Sequence, residues 1–384
     1  MKRIAILGAT GSIGTSTLDL AEAAPDQFEV TAVTAASNVA ELAAIARRTR
    51  APLAVIADDS RLDELRDALA GTNIQAAAGE QALAEAAVSA DLVIAAIVGT
   101  AGLAPVMAAV RAGRTIGLAN KEALVSAGAL MIEEAHRSGA VLLPIDSEHN
   151  AIFQCLAGQD CDKVSRLILT ASGGPFRTWS ASDMARATPA QAVAHPNWSM
   201  GAKISIDSAT MMNKGLELIE AHHLFGLPEE RIDILVHPQS VIHSLVEYAD
   251  GSMLAQLGSP DMRVPIGHVL AWPERMATGA RRLDLLQVAR LDFEAPAPVR
   301  FPALRLAREA LRRGEAAPLT LNAANEVAVE AFLAGAIHFG DIARVVEEQL
   351  TRMDQPLPSS IPQVLALDAE VRAATRAALP ELAS

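Results

Sequence analysis

The 384-residue chain is predicted to be an α/β protein in three parts: an N-terminal doubly wound parallel sheet, a central α+β domain and a C-terminal helical domain. Three observations carry this expectation. Short apolar runs alternate with amphipathic stretches through residues 1–146. From Ser147 the pattern loosens into strands separated by loops rich in Gly, Pro, Ser and Asn. Beyond a proline-punctuated segment, only helical periodicity remains. The expected divisions are 1–146, 147–272, a linker over 273–297, and 298–384.

Within the first division, RIAILG, FEVTAVTA, PLAVIAD, DLVIAAIVG, RTIGLAN and AVLLPID read as strands, since runs this short and apolar suit a sheet covered on both faces. Helical patterns such as NVAELAAIARRTR and KEALVSAGALMIEEAHRSG follow them. Leu92 to Val110 carries no charge over 19 residues, the length of a membrane span, but Gly99, Gly102 and Pro105 divide it into a buried strand and a helix. In the second division, TASGGPF and HPNWSMG read as functional loops and LVEYADGSMLAQL as a hairpin. Pro273, Pro296, Pro298 and Pro302 mark the linker, and PALRLAREALRRG, NAANEVAVEAFLAG and FGDIARVVEEQLTRM the helices after it.

A formal net charge of −13 disfavours nucleic acid or an anionic membrane surface as the main partner, so any phosphate must be bound locally. Cys155 and Cys161 have neither metal-type spacing nor a disulfide framework, which points to a reducing cytoplasm. The first apolar run begins within three residues of Met1, so no leader is expected before it, and no transmembrane segment is expected.

GATGSIGTS places Gly8, Gly11 and Gly14 where the first strand gives way to the first helix. The backbone there can approach a pyrophosphate and offer it helix N-terminal N–H groups; the alternative is a tight turn and nothing more. Asp146 and Glu148 lie two apart at a strand end, a donor pair for Mg²⁺ or Mn²⁺, though Asp146 or Ser147 could equally cap the helix that follows. In KISIDSATMMNKGLELIEAHHLFG, a helix capped near Asp207 or Ser208 puts Asn213 and Glu217 four apart on one face with Lys214 beside them. His222 and His223 read as structural. Ser172 precedes two glycines suited to an anion, and His195 with Trp198 on a Pro/Gly loop suggests a lid.

GATGSIGTSTLDL, NKEALV, PIDSEHNAIFQCL, TASGGPFR, HPNWSMGAKISIDSATMMNKGLELIEA, HPQSVIHSLVEYADGS and NAANEVAVEAF, in this order and spacing, resemble the 1-deoxy-D-xylulose 5-phosphate reductoisomerases over nearly the whole chain. The resemblance implies a homodimer with a Rossmann-like domain that rearranges and reduces that sugar phosphate with NADPH and a divalent metal. The product is 2-C-methyl-D-erythritol 4-phosphate, at the entry to non-mevalonate isoprenoid biosynthesis. Carried over by position, it gives Thr10, Gly11, Ser12 and Ile13 to the cofactor phosphates, with Asn38, Asn120, Glu122 and Gly201 as further cofactor contacts. It gives Asp146, Glu148 and Glu217 to the metal, and Lys121, Ser147, Glu148, Ser172, His195, Ser208, Asn213, Lys214 and Glu217 to the substrate, with Lys121 and Glu148 assisting proton movement. In the family a Gly and a basic residue often precede Asn38, whereas this chain has Ala36 and Ser37. The second strand also lacks a terminal acid for a ribose 2′-hydroxyl, and the neutral donors Ser37 and Asn38 favour NADPH over NADH.

Two other readings share the glycine-rich start. A semialdehyde dehydrogenase-like enzyme would need a thiol nucleophile, for which only Cys155 offers itself. A non-catalytic NADP-binding module would need no metal site.

Overall fold

The computed structural model describes residues 1–159, 161–194, 198, 201–314, 316–353 and 355–382. The chain forms two compact units: residues 1–123, 129–150 and 261–281 in the first, and residues 124–128, 151–260 and 282–384 in the second.

The first unit alternates β1 (Lys2–Leu7), α1 (Ser12–Ala23), β2 (Phe28–Ala35), α2 (Val39–Thr49), β3 (Leu53–Ile56), α3 (Leu62–Ala68), β4 (Gln75–Ala78) and α4 (Gly79–Val88). It continues with β5 (Leu92–Ala95), α5 (Leu103–Arg111), β6 (Thr115–Leu118), α6 (Lys121–Ser138), β7 (Val141–Pro144) and the start of α7 (Ser147–Leu156). All seven strands are parallel, in the order β4-β3-β2-β1-β5-β6-β7. The order reverses between β1 and β5, the place where such sheets open a crevice beyond their carboxyl ends. Ile4 to Leu7 and Leu92 to Ala95 are buried throughout, because helices cover both faces.

Six of the seven strands match the expected runs; β4 was not expected. Its sequence QAAA has none of the β-branched or aromatic residues that favour strands, and it is a strand because it extends the sheet in register with β3, from Leu53 opposite Gln75 to Ile56 opposite Ala78. Helix α6 forms where expected, but its backbone departs from helical geometry at Ala127.

The second unit holds β8 (Val164–Ala171), the short helices α8 (Ala181–Ala185) and α9 (Pro189–Ala192), α10 (Ala202–Thr210), α11 (Met212–Phe225), β9 (Ile232–Val236), β10 (Ile242–Tyr248) and β11 (Met253–Leu257). Helix α12 (Arg263–Ala271) follows and belongs to the first unit, where it packs on α1, β6 and β7. The second unit resumes with α13 (Leu285–Val288), α14 (Pro302–Arg313), α15 (Ala317–Leu333), α16 (Asp341–Arg352) and α17 (Ile361–Leu382). Its mixed sheet runs β11-β10-β8-β9, with β10 and β11 forming the expected hairpin around Gly251.

Helix α15 is buried along most of its length because its Ala, Val and Leu residues face α10, α14, α16 and α17 together. Phe176, from the TASGGPF loop, is fully buried edge-on to Phe339 at 5.0 Å. Burial of such a ring contributes about 1.5–3 kcal/mol and ties that loop to the helical region. None of the described helices is long and apolar enough to cross a membrane.

Candidate active site

Gly8 leaves β1 with φ +86°, and a Cβ there would meet the Ala96 carbonyl oxygen at 2.7 Å. A Cβ on Gly14 would meet the Gly8 oxygen at 2.4 Å, so α1 can pack against the end of β1 only with glycine at that position. Helix α1 starts after Gly11 with no side chain capping it, while Thr10, Gly11, Ser12 and Ile13 are exposed or half-buried. That is a phosphate-ready turn.

On the far side of the β1/β5 reversal, Asn120 is buried and fully engaged. Its Oδ1 accepts from the Ala123 N–H at 3.0 Å, capping α6, and its Nδ2 donates to the Ile97 and Gly99 carbonyls at 2.6 and 2.8 Å. It thereby fixes the loop after β5. The next two residues, Lys121 and Glu122, are also buried.

Lys121 begins α6 after β6, and its Nζ lies 2.7 Å from Asp146 Oδ2 beyond the neighbouring strand β7. Asp146 does cap α7, accepting from the Glu148 N–H at 3.2 Å, one of the two roles the sequence left open for it. Ser147 donates its hydroxyl to Glu148, and both are half-buried. His149 was not singled out in the sequence; it is fully buried, and its Nδ1 lies 3.3 Å from Asp146 Oδ1. Its position directly after Glu148 was the available signal.

At the end of β2, Ser37 and Asn38 are exposed. Asn38 caps α2 by accepting from the Glu41 N–H at 3.2 Å, and its Nδ2 donates to Glu41 Oε2 at 2.7 Å.

In the second unit, Asp207 and Ser208 do not cap a helix as expected; both lie inside α10. The break falls at Met211, whose left-handed backbone (φ 64°) ends α10 and starts α11. Asp207 is instead held by Asn325 Nδ2 at 2.8 Å and Lys203 Nζ at 2.9 Å, anchoring α10 to α15. Ser172 follows β8 and accepts from the Gly174 N–H at 3.1 Å. A Cβ on Gly174, which has φ +68°, would meet the Ser208 carbonyl oxygen at 2.6 Å. Glycine there brings the Ser172 loop against α10.

Asn213 and Glu217 share a face of α11 as expected, and Asn213 donates to the Glu217 carboxylate. Lys214 also reaches that carboxylate, with the two side chains only 4% and 1% exposed. Glu220, one turn on, is fully buried; its spacing from Glu217 was the missed signal. Gly201 is exposed at the start of α10. His195 lies outside the described residues, as does most of the HPNWSMG loop; Trp198 is half-buried with its ring 6.4 Å from that of His243.

His222 Nδ1 pairs with the Leu227 carbonyl at 2.7 Å, and burial pushes the His223 imidazole down to about 4. Burial also pushes the Cys155 thiol up to about 11, the opposite of what a nucleophilic thiolate requires.

Three family models match the chain. 1-Deoxy-D-xylulose 5-phosphate reductoisomerase matches residues 4–128, that family's C-terminal domain residues 142–225, and the DXP reductoisomerase C-terminal domain residues 257–374. The 1-deoxy-D-xylulose 5-phosphate reductoisomerase of Zymomonas mobilis is 59% identical over 382 residues, covering 99% of this chain and 98% of its own. The chain belongs to the 1-deoxy-D-xylulose 5-phosphate reductoisomerase family. Another reductoisomerase, from Rhodospirillum centenum, is 58% identical over 97% of this chain and 93% of its own. The solved Zymomonas mobilis reductoisomerase in complex with NADPH superimposes with a TM-score of 0.94 at 57% identity, covering 98% of this chain and 99% of that one. A DOX-P reductoisomerase in complex with NADPH, fosmidomycin and magnesium also gives 0.94, at 46% identity, covering 100% of this chain and 99% of that one. Membership of the reductoisomerase family displaces both alternative readings, and the raised Cys155 thiol gives the physical reason against the dehydrogenase-like one.

Proposed function

We propose that this chain converts 1-deoxy-D-xylulose 5-phosphate to 2-C-methyl-D-erythritol 4-phosphate by NADPH-dependent isomerisation and reduction, supplying isoprenoid precursors. The carrying observation is family membership over the whole chain together with the site residues described above. The residues present suit both groups the reaction needs. The Gly8–Gly14 turn with the uncapped start of α1 suits the cofactor pyrophosphate. Asp146, Glu148 and Glu217 are all-oxygen carboxylate donors, the chemistry of a hard divalent cation such as Mg²⁺ or Mn²⁺. When bound, the metal supplies Lewis-acid polarisation and the nicotinamide supplies hydride.

The remaining work belongs to side chains of this chain. Thr10, Gly11, Ser12 and Ile13 hold the cofactor phosphates, with Ser37, Asn38, Asn120, Glu122 and Gly201 as further cofactor contacts. Asn120, already spent on the β5 loop, contributes by fixing that loop's shape. Ser172, Ser208, Asn213 and Lys214 receive the substrate phosphate with two hydroxyls, an amide and an ammonium. Ser147, Glu148, Glu217, Lys121 and His195 contact the rest of the substrate, and Lys121 and Glu148 move protons at its oxygens. The loop from His195 to Met200 excludes water from the reacting carbonyl. The working form is a cytoplasmic homodimer, with residues 1–146 holding NADPH, 147–272 the catalytic and dimer-forming domain, and 298–384 the helical domain after a linker.

The test follows NADPH oxidation on addition of 1-deoxy-D-xylulose 5-phosphate, with and without EDTA. Oxidation that EDTA abolishes and Mg²⁺ or Mn²⁺ restores supports the reading; substrate-independent or EDTA-insensitive oxidation overturns it.

A further inference from the structure

We infer that Arg61 supplies the cation by which this chain recognises the 2′-phosphate of NADPH. The inference rests on NADPH being the cofactor and concerns only the end of β2, where doubly wound sheets read the ribose 2′ position. The sequence there runs Ala36, Ser37, Asn38, and no Lys or Arg occurs between Arg3 and Arg47. Arg47 is spent elsewhere, donating to the Ala68 and Ala70 carbonyls.

A cation nevertheless reaches this loop from the next crossover. The exit of β3 runs beside that of β2, with the Ala57 and Asp58 N–H groups donating to the Ala35 and Ala36 carbonyls at 2.9 and 3.1 Å. Asp58 then accepts from the Ser60 N–H at 3.0 Å, fixing a short 3₁₀ turn, Asp59–Arg61. From that turn the Arg61 guanidinium reaches back and donates to the Ser37 carbonyl. Arg61 is thus built into the loop that must bind the 2′ substituent, although it lies 24 residues further along the chain.

The charges around it make the cation necessary. Glu41 lies on Asn38 at 2.7 Å and Glu64 on Arg61 at 2.7 Å, two carboxylates that would repel a phosphate dianion. The Arg61–Glu64 pair lies at the surface, with side chains 36% and 53% exposed, and such pairs contribute little. A phosphate offers the same planar fork a stronger, charge-assisted partner, so it can take the place of Glu64.

The experiment is calorimetric titration of the purified protein with NADPH, NADH and 2′,5′-ADP. Arg61→Gln should weaken NADPH and 2′,5′-ADP about ten- to hundredfold and leave NADH unchanged; Arg61→Lys should recover part of the loss. Glu64→Gln, which keeps the cation and removes its surface partner, should tighten 2′,5′-ADP. Equal weakening of NADPH and NADH in Arg61→Gln, or weaker 2′,5′-ADP binding in Glu64→Gln, would make Arg61 a strap holding the loop and overturn the inference. A wild-type protein that binds NADPH no better than NADH would overturn the cofactor reading itself and this inference with it, a result visible before any substitution is made.

Discussion

Lys121 and Asp146 form a buried ion pair, 2.7 Å from Nζ to Oδ2, between side chains only 8% and 12% exposed. One follows β6 and the other β7, so the register of two adjacent parallel strands brings together a proposed substrate ligand and a proposed metal ligand. Lys121→Ala removes the cation and leaves Asp146 charged in a poorly hydrated place, which costs about 3–5 kcal/mol. Added Mg²⁺ should return part of that stability, so its thermal upshift should be larger in the variant than in the wild type. Equal upshifts in thermal melts would separate Asp146 from the metal.

Glu148→Gln and Glu217→Gln should each raise the Mg²⁺ concentration needed for half-maximal turnover by at least about tenfold, because an amide is a poor ligand for a hard cation. NADPH binding should be unchanged in both. The two should differ in stability: Glu217→Gln takes a carboxylate away from the buried Lys214 ammonium, whereas the Glu148 carboxylate accepts from the neutral Ser147 hydroxyl. Denaturant midpoints should therefore fall further for Glu217→Gln, and a metal requirement unchanged in either variant would remove that residue from the ligand set.

A three-carbon phosphonate ending in a hydroxamate should occupy Ser172, Ser208, Asn213 and Lys214, the donors proposed for the substrate phosphate. Lys214→Ala should weaken it about ten- to hundredfold, the worth of one charge-assisted hydrogen bond, and spare NADPH. Titration calorimetry checks this; loss of NADPH affinity with the phosphonate spared would assign the cluster to the nucleotide.

Cys155 should be chemically quiet. Its thiol is buried and raised to about 11, so thiolate is scarce at neutral pH. Turnover should survive iodoacetamide, with mass spectrometry showing Cys155 unlabelled in the folded protein. Inactivation that tracks Cys155 labelling would revive a thiol mechanism.

Acid should destabilise the fold through His223. Its imidazole drops from 6.5 to about 4 on burial, so between those values the unfolded chain binds the proton and the folded chain does not. Unfolding is then favoured as pH falls: stability from this group is complete above pH 6.5 and is lost progressively toward pH 4. His223→Gln should flatten the dependence of the urea midpoint on pH between 7 and 5, by an amount on the order of 1–3 kcal/mol. Parallel curves for variant and wild type would show that His223 does not titrate differently on folding.

The parallel sheet was legible because its strands are short apolar runs between helical patterns, a signal that each segment carries within itself. Strand β4 was not, since QAAA is a strand only through its neighbour Leu53–Ile56. The α10–α11 break shows the same limit. Asp207 and Ser208 have the chemistry of helix caps, but Asn325 and Lys203 claim Asp207, and the left-handed residue is Met211, which no local preference marks.

The sequence by itself determined the residue types of the site and their strand-end and helix-face placement: the Gly8–Gly14 turn, Asp146 and Glu148 after a strand, and Asn213 and Glu217 four apart on one helix. Such features depend on spacing, and spacing is fixed by the period of the backbone. Only the tertiary structure decided which charges meet. It paired Lys121 with Asp146, aimed Asn120 at the β5 loop, and carried Arg61 back to Ser37. Those partners stand 20 or more residues apart in the chain, and their encounter depends on strand order and register, which are set by packing of the whole sheet and leave no mark on either segment alone.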